Sequence, residues 1–90
     1  MRRDGKRLLL EGAVTMDTVP ALLTQGRAAL AEGVDVLDFG EASTIDSAAI
    51  AMALELRRAS GGRLQMVNLP EGALNLARLY SVSDQLGIEG

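Results

Sequence analysis

The sequence contains no cysteine, histidine or tryptophan, and its aromatic residues are one phenylalanine and one tyrosine. Without cysteine and histidine, the chain lacks thiol nucleophiles, disulfides, the usual zinc and copper ligands, and the commonest side chain for proton transfer at neutral pH. Any hydrophobic core must be filled mainly by Leu, Val, Ile, Met and Ala. Most enzyme mechanisms depend on these side chains, so we expect a protein without catalytic activity, cofactor or bound metal.

The chain also lacks an excess of positive charge and a long apolar run. Twelve acidic and nine basic side chains give a formal net charge of -3, whereas a general nucleic-acid binder needs a basic stripe and gains from stacking aromatics. No apolar run approaches the roughly 20 residues that cross a bilayer, and the start of the chain lacks the pattern of a cleavable signal. We expect no nucleic-acid partner, no membrane insertion and a cytoplasmic location.

The hydrophobic pattern of the chain indicates one α/β domain over residues 1–90, without an internal repeat or a linker. Apolar or alternating runs predict strands, while capping residues, helical spacing and terminal glycines predict helices. The predicted strands are 7–14, 34–39 and 63–67, and the predicted helices are 15–33, 48–59, 71–80 and a last turn at 83–86. A loop at 41–45 precedes the second helix. Such alternation predicts a small, mostly parallel sheet with helices packed on it, in the order β-α-β-α-β-α-α.

Few residues are candidates for a catalytic or ligand-binding role. Asp38 and Asp46 could act as paired carboxylates, but each has a simpler interpretation. Asp38 reads as a solvated residue near a strand end, and Asp46 reads as a helix N-cap, which contributes about 1 kcal/mol. Arg57, Arg58 and Arg63 form a small basic group that is typical of solvated charge near the carboxyl end of a helix. Contact with an anionic partner is the less favoured alternative.

The predicted helix 48–59 carries more apolar residues than one contact with a sheet needs. The face suited to the sheet comprises Ala48, Ala49, Met52, Ala53, Leu56 and Ala59. Ile50, Ala51 and Leu54 lie beside or within the opposite face, which Ser47 marks. We therefore expect this helix to contact a partner protein as well as its own sheet. The alternative is that Ile50 and Leu54 only touch the edge of the sheet.

Ser47 is a candidate phosphoacceptor. It lies at the predicted amino end of a helix, where added negative charge is favoured, and on the surface that a partner would cover. A phosphate adds about -1.5 to -2 charges, so the free domain would tolerate it while an apolar interface would not. The alternative is that Ser47 is a plain N-cap serine.

Two segments resemble a known family. Val36–Phe39, a loop and the aliphatic helix that follows Asp46 and Ser47 resemble the hallmark of STAS domains. The segment 75–82, with its Leu-Tyr pair, resembles the MlaB branch of that family, which comprises small cytoplasmic subunits of Mla phospholipid-transport ABC complexes. The resemblance spans roughly 6–88. The chain departs from the family at Ala48 and Ala49, where glycine is frequent.

The resemblance implies a non-catalytic subunit that binds and regulates or stabilises an MlaF-like ABC ATPase in a complex with a permease. Such a complex moves phospholipids between the inner and outer membranes of Gram-negative cells and maintains outer-membrane lipid asymmetry. The subunit would be cytoplasmic and would be held at the inner membrane by its contact with the complex. The residues expected to contact the partner are Ser43, Thr44, Asp46, Ser47, Ile50, Ala51 and Leu54. One alternative is an anti-sigma-factor antagonist that binds a protein kinase and is controlled by phosphorylation of Ser47. A homodimer through exposed strand edges also stays open.

Overall fold

In a computed structural model that describes residues 1–72 and residue 75, the chain forms a four-stranded sheet with two helices packed on it. The elements are β1 (Arg2–Asp4), β2 (Arg7–Val14), α1 (Val19–Ala31), β3 (Val36–Ile45), α2 (Ser47–Ala59) and β4 (Gln65–Val67). The strand order is β1-β2-β3-β4. Strand β1 runs antiparallel to β2, whereas β3 is parallel to both β2 and β4. The predicted α/β class and mostly parallel sheet are therefore confirmed.

Strand β1 was not predicted from the sequence. Its three residues are all charged and exposed, so they show no hydrophobic alternation. They pair with β2 through a tight turn in which Asp4 lies opposite Arg7, and Gly5 takes a φ of 61° that favours glycine. Backbone pairing and this turn, rather than burial of side chains, place β1 at the edge of the sheet.

Strand β3 continues through the segment 41–45, which was wrongly predicted to be a loop. The parallel ladder with β2 persists to the pair Val14 and Ile45, with two shifts of register on the way. Gly12 lies at one of these shifts with a φ of 73°. Each shift takes up one extra residue of β3, so pairing with β2 continues through the polar second half of β3, which ends immediately before Asp46 at the carboxyl edge of the sheet.

Both helices lie where the sequence predicts them, but α1 begins at Val19 rather than at Thr15, because residues 15–18 form a turn. Helix α1 carries Pro20 in its first turn, where the missing N–H leaves no helical bond unmade, and Gly33 follows its end with a φ of 96°. Gly61 and Gly62 also have positive φ values after α2. Glu71 is helical, as predicted. Of the predicted helix 71–80, the structure also describes residues 72 and 75. The remaining residues of this helix and the predicted turn at 83–86 lie outside the described residues.

The hydrophobic core lies between the sheet and the two helices. Strand residues on one face of the sheet alternate with residues on the other, so Leu37 and Phe39 are both 1% exposed and face the helices. Helix α2 supplies the largest helical share of the core, namely Ala49, Ile50, Met52, Ala53 and Leu56. Ala48 is half-buried and Ala59 is exposed, although both were predicted to face the sheet. The buried face of α2 is therefore rotated away from these two residues and toward Ile50.

The two helices approach closely because residue 26 has no side chain. A Cβ atom built on Gly26 would lie 2.8 Å from Cδ1 of Leu56. Leu56 is 1% exposed and belongs to the core, so its side chain has little room to move. The spacing of α1 and α2 thus depends on this glycine.

We expect Gly26→Ala to lower the free energy of unfolding by about 1 kcal/mol. Alanine gains up to about 1 kcal/mol in helix propensity, but overpacking a filled core typically costs about 1–3 kcal/mol. Urea denaturation of both proteins measures the difference. Gly72→Ala is the control, since a Cβ atom there meets nothing within 4 Å. An unchanged or raised stability of Gly26→Ala would show that the helices can move apart at no cost.

Candidate functional site

The carboxylate of Asp46 joins the amino end of α2 to the turn between β2 and α1. Its Oδ1 atom accepts a hydrogen bond from the Ala48 N–H at 2.9 Å, and its Oδ2 atom accepts one from the Met16 N–H at 3.0 Å. The first contact confirms the prediction that Asp46 caps the helix. The second fixes the position of the turn relative to Ser47, the first residue of α2.

The predicted partner-facing residues lie together at this end of the molecule, with one exception. Ser43, Thr44, Ser47 and Ala51 are exposed, and Asp46 and Leu54 are half-buried. We call these six residues the Ser47 surface. Leu54 also packs against the core, so only part of its side chain is available.

Ile50 does not belong to the Ser47 surface. Its side chain is 4% exposed and lies in the hydrophobic core, so the expectation that it contacts a partner directly is wrong. The helical wheel placed Ile50 beside the polar face because it included Ala48 and Ala59 in the apolar face, and both lie on the side of the helix away from Ile50. Rotation of α2 toward Ile50 buries this residue and leaves Ala51 exposed on the other side.

Met16 is a candidate contact residue that the sequence analysis missed. Its side chain is 72% exposed, the highest exposure of a large hydrophobic residue in the described part of the chain. Its backbone is held by Asp46, and the same turn is closed by Thr18, whose Oγ1 atom accepts a hydrogen bond from the Thr15 N–H at 3.0 Å. An apolar side chain is thus exposed on a well-bonded turn that contacts Asp46, the residue before Ser47. Hydrophobic periodicity carried no signal for it, since the sequence placed Met16 within the first helical segment.

Asp38 lies at the other end of β3 and is buried, not solvated as expected. Its carboxylate accepts hydrogen bonds from the Gly40 N–H at 2.8 Å, from Nδ2 of Asn68 at 3.0 Å and from Nη1 of Arg7 at 3.1 Å. Burial by itself raises the pKa of Asp38, but the bonds from Asn68 and Gly40 and the charge of Arg7 together outweigh it and hold this pKa below its ordinary value. Asp38 is therefore a buried, fully paired carboxylate that ties β2, β3 and the end of β4 together.

Asp38 and Asp46 cannot act as a catalytic pair. The seven steps of β3 from Asp38 to Ile45 lie opposite only five steps of β2, so at ~3.3 Å per residue the two carboxylates are roughly 20 Å apart. Paired carboxylates that cleave glycosidic bonds lie about 5–9.5 Å apart. Within residues 1–72 and residue 75, no group of three or more acidic side chains is placed so that it could hold a metal ion.

The profile of the family described as "Mlab, STAS domain" matches residues 1–88. The match covers nearly the whole chain, so the protein belongs to the STAS domain family. The comparison with curated proteins gives no match. In the described part of the chain, no helix has the length and apolar character needed to span a membrane. The fold and the family together define a STAS domain, with the Ser47 surface at the amino end of α2.

The buried carboxylate leads to a prediction about pH. Because the folded-state pKa of Asp38 is lowered, its ionised form stabilises the fold above the ordinary Asp value of 3.8, and this contribution is lost as the pH falls through the folded-state value. We expect Asp38→Asn to be less stable than the parent at neutral pH, and the difference to shrink between about pH 5 and pH 2. Urea denaturation at a series of pH values measures both effects.

Asp17→Asn, at an exposed position, controls for the loss of a carboxylate. It should follow the pH dependence of the parent more closely than Asp38→Asn does. A constant difference between the parent and Asp38→Asn across this pH range would mean that ionisation of Asp38 does not stabilise the fold.

Proposed function

We propose that this STAS domain is an MlaB-like subunit that binds and regulates or stabilises the ATPase of an Mla-type ABC transporter. The transporter would move phospholipids between the inner and outer membranes, and the subunit would lie on the cytoplasmic side of the inner membrane through the complex. The observation that carries this proposal is the Ser47 surface, which Asp46 holds beside the exposed Met16 side chain. The match to the "Mlab" type of STAS domain supports it.

The chemistry of the Ser47 surface suits binding rather than catalysis. The Asp46 carboxylate accepts two backbone hydrogen bonds, and Asp38 accepts three hydrogen bonds at the far end of β3. Both carboxylates therefore hold the fold in place. In the proposed complex, ATP hydrolysis belongs to the ATPase, and this chain supplies a docking surface.

The Ser47 surface has the composition of a docking site. Protein interfaces commonly have an apolar centre and a polar rim, with about 800 Å² buried on each partner. Ala51, together with Met16 on the adjoining turn, would provide apolar contacts, while Ser43, Thr44 and Ser47 would provide hydroxyl groups at the rim. The turn and helix that carry these residues are fixed by the bonds of Asp46, so little ordering is required on binding.

We expect Ala51→Arg to weaken binding of the ATPase by at least about tenfold, because a long charged side chain would be buried without a partner. Ala51 is exposed on α2, so the variant should fold like the parent. Ala28→Arg introduces the same change at an exposed alanine of α1 and is the matched control. Tagged proteins are recovered from the native host in mild detergent, and the retained ATPase and permease are quantified by mass spectrometry.

The parent and Ala28→Arg should retain the ATPase and permease, and Ala51→Arg should lose both. Equal retention by all three proteins would show that the Ser47 surface is not the docking site. Recovery of a soluble serine kinase and no transporter by the parent would overturn the transport proposal.

The exposure of Ser47 favours one second candidate, an anti-sigma-factor antagonist. Ser47 is the first residue of α2, it is exposed, and no hydrogen bond engages its hydroxyl within residues 1–72 and residue 75. A phosphate there would be stabilised by the helix dipole and would change the charge of the docking surface.

Mass spectrometry of the protein isolated from its host separates the two candidates. We expect Ser47 to be unmodified in the fraction that retains the ATPase. Stoichiometric phosphate on Ser47, together with recovery of a kinase, would favour the antagonist. Ser43 lies in the adjoining part of β3 and is also exposed, so it serves as an internal control for adventitious phosphorylation.

A further inference from the structure

An open groove of about 300 Å³ lies beside the carboxyl ends of α1 and α2, at the other end of α2 from Ser47. Its lining combines apolar residues with cationic and polar ones. The lining residues are Arg27, Leu30, Ala31, Ala59, Ser60 and Arg63. Such a groove can hold a small anionic group that carries an apolar portion.

One of the two cations that line this groove, Arg63, has no carboxylate partner among the described residues, whereas the other, Arg27, pairs with Glu55. Arg2, Arg3, Arg7 and Arg27 each pair with a carboxylate. In the described part of the chain, Arg57, Arg58 and Arg63 form no such pair. Arg63 donates one hydrogen bond to the carbonyl oxygen of Val34 at 3.2 Å, and Arg57 donates one to the carbonyl oxygen of Leu64. Each guanidinium has five N–H donors, so most of their donors stay free.

The surroundings favour a monoanion over a dianion. The carboxyl end of each helix carries about half a negative charge, and Glu55 lies 3.3 Å from Arg27. The desolvation cost of an anion rises with the square of its charge, whereas its attraction to the single unpaired cation rises only linearly, so these surroundings suit one negative charge better than two. A phosphate diester carries one charge spread over two oxygen atoms, which Arg27 and Arg63 could share, since guanidinium groups bind phosphate oxygens in a fork geometry.

We propose that the groove binds a phosphate diester attached to an apolar group. The phosphate lies between Arg27 and Arg63, and the apolar portion lies against Leu30, Ala31 and Ala59. The volume accommodates a head group rather than a whole lipid. A diester of this kind can come from a soluble metabolite or from a phospholipid head group, and the site does not overlap the Ser47 surface.

Titrations followed by two-dimensional NMR of the ¹⁵N-labelled protein test the proposal. The probes are dihexanoyl phosphatidylglycerol as a monomer, glycerophosphoglycerol as the same head group without acyl chains, and inorganic phosphate. We expect saturable shifts of amides around the groove with the first probe and much weaker binding of inorganic phosphate. Equal affinity for the first two probes would assign a soluble diester, whereas at least about tenfold tighter binding of the lipid would assign a phospholipid source.

Three variants test the position of the site. Ala59→Glu places a negative charge in the groove, and Ala51→Glu makes the same change about two turns nearer the amino end of α2, at an exposed position. Arg63→Gln removes a lining cation without adding bulk. We expect Ala59→Glu and Arg63→Gln to weaken binding by about 10- to 100-fold, as loss of a charged hydrogen bond does, and Ala51→Glu to bind like the parent.

Any one of three results would overturn the proposal. The first is that neither diester shows saturable binding, and the second is that inorganic phosphate binds as tightly as the diesters. The third is that the affinity for the diester is unchanged in both Ala59→Glu and Arg63→Gln. A thermal melt checks the fold of each variant, and Arg63→Gln decides the matter if Ala59→Glu does not fold. None of these measurements involves the ATPase, so the outcome is independent of the proposed function.

Discussion

The Asp46 carboxylate is the contact on which the arrangement of the Ser47 surface depends. Strand β3 ends immediately before it, the turn that carries Met16 donates to one oxygen, and α2 donates to the other. The Asp46 N–H also donates to the carbonyl oxygen of Val14, at 3.4 Å, which ties the end of β3 to the end of β2. A helix cap contributes about 1 kcal/mol to stability, but its larger consequence here is geometric. Two segments distant in sequence become one surface.

The sequence predicted those features that local chemistry determines. Asp46 was predicted to be a cap because a carboxylate before an apolar helical run satisfies free N–H groups. Terminal glycines were used to predict the helix ends because glycine accepts the positive φ that is observed after both helices. The features that it missed are set by long-range pairing. Strand β1 is charged, and the second half of β3 is mostly exposed, so their place in the sheet follows from backbone ladders that leave no periodic signal.

The residues of the candidate site likewise fall into those that local pattern could place and those that depend on long-range packing. Ser47 and Ala51 could be placed on an exposed face because helical periodicity fixes their relative directions. The absolute rotation of α2 depends on how it packs against α1 and the sheet, so Ile50 was placed on the wrong side. The exposure of Met16 depends on a hydrogen bond across 30 residues of sequence, which no local pattern contains.

The two proposed sites lie at opposite ends of α2, and the length of the helix keeps them apart. Its 13 residues rise about 1.5 Å each, so Ser47 and Ala59 lie roughly 18 Å apart, which is about twice the screening length of ~8 Å at physiological ionic strength. A phosphate on Ser47 would therefore act on the docking surface next to it and would change the electrostatic potential at the groove little. Coupling between the two ends would have to pass through the packing of α2 against α1, which includes Leu56 against Gly26 and the ion pair between Arg27 and Glu55. Because the screened electrostatic coupling is small, binding at the two sites should be nearly additive unless docking moves α2 against α1.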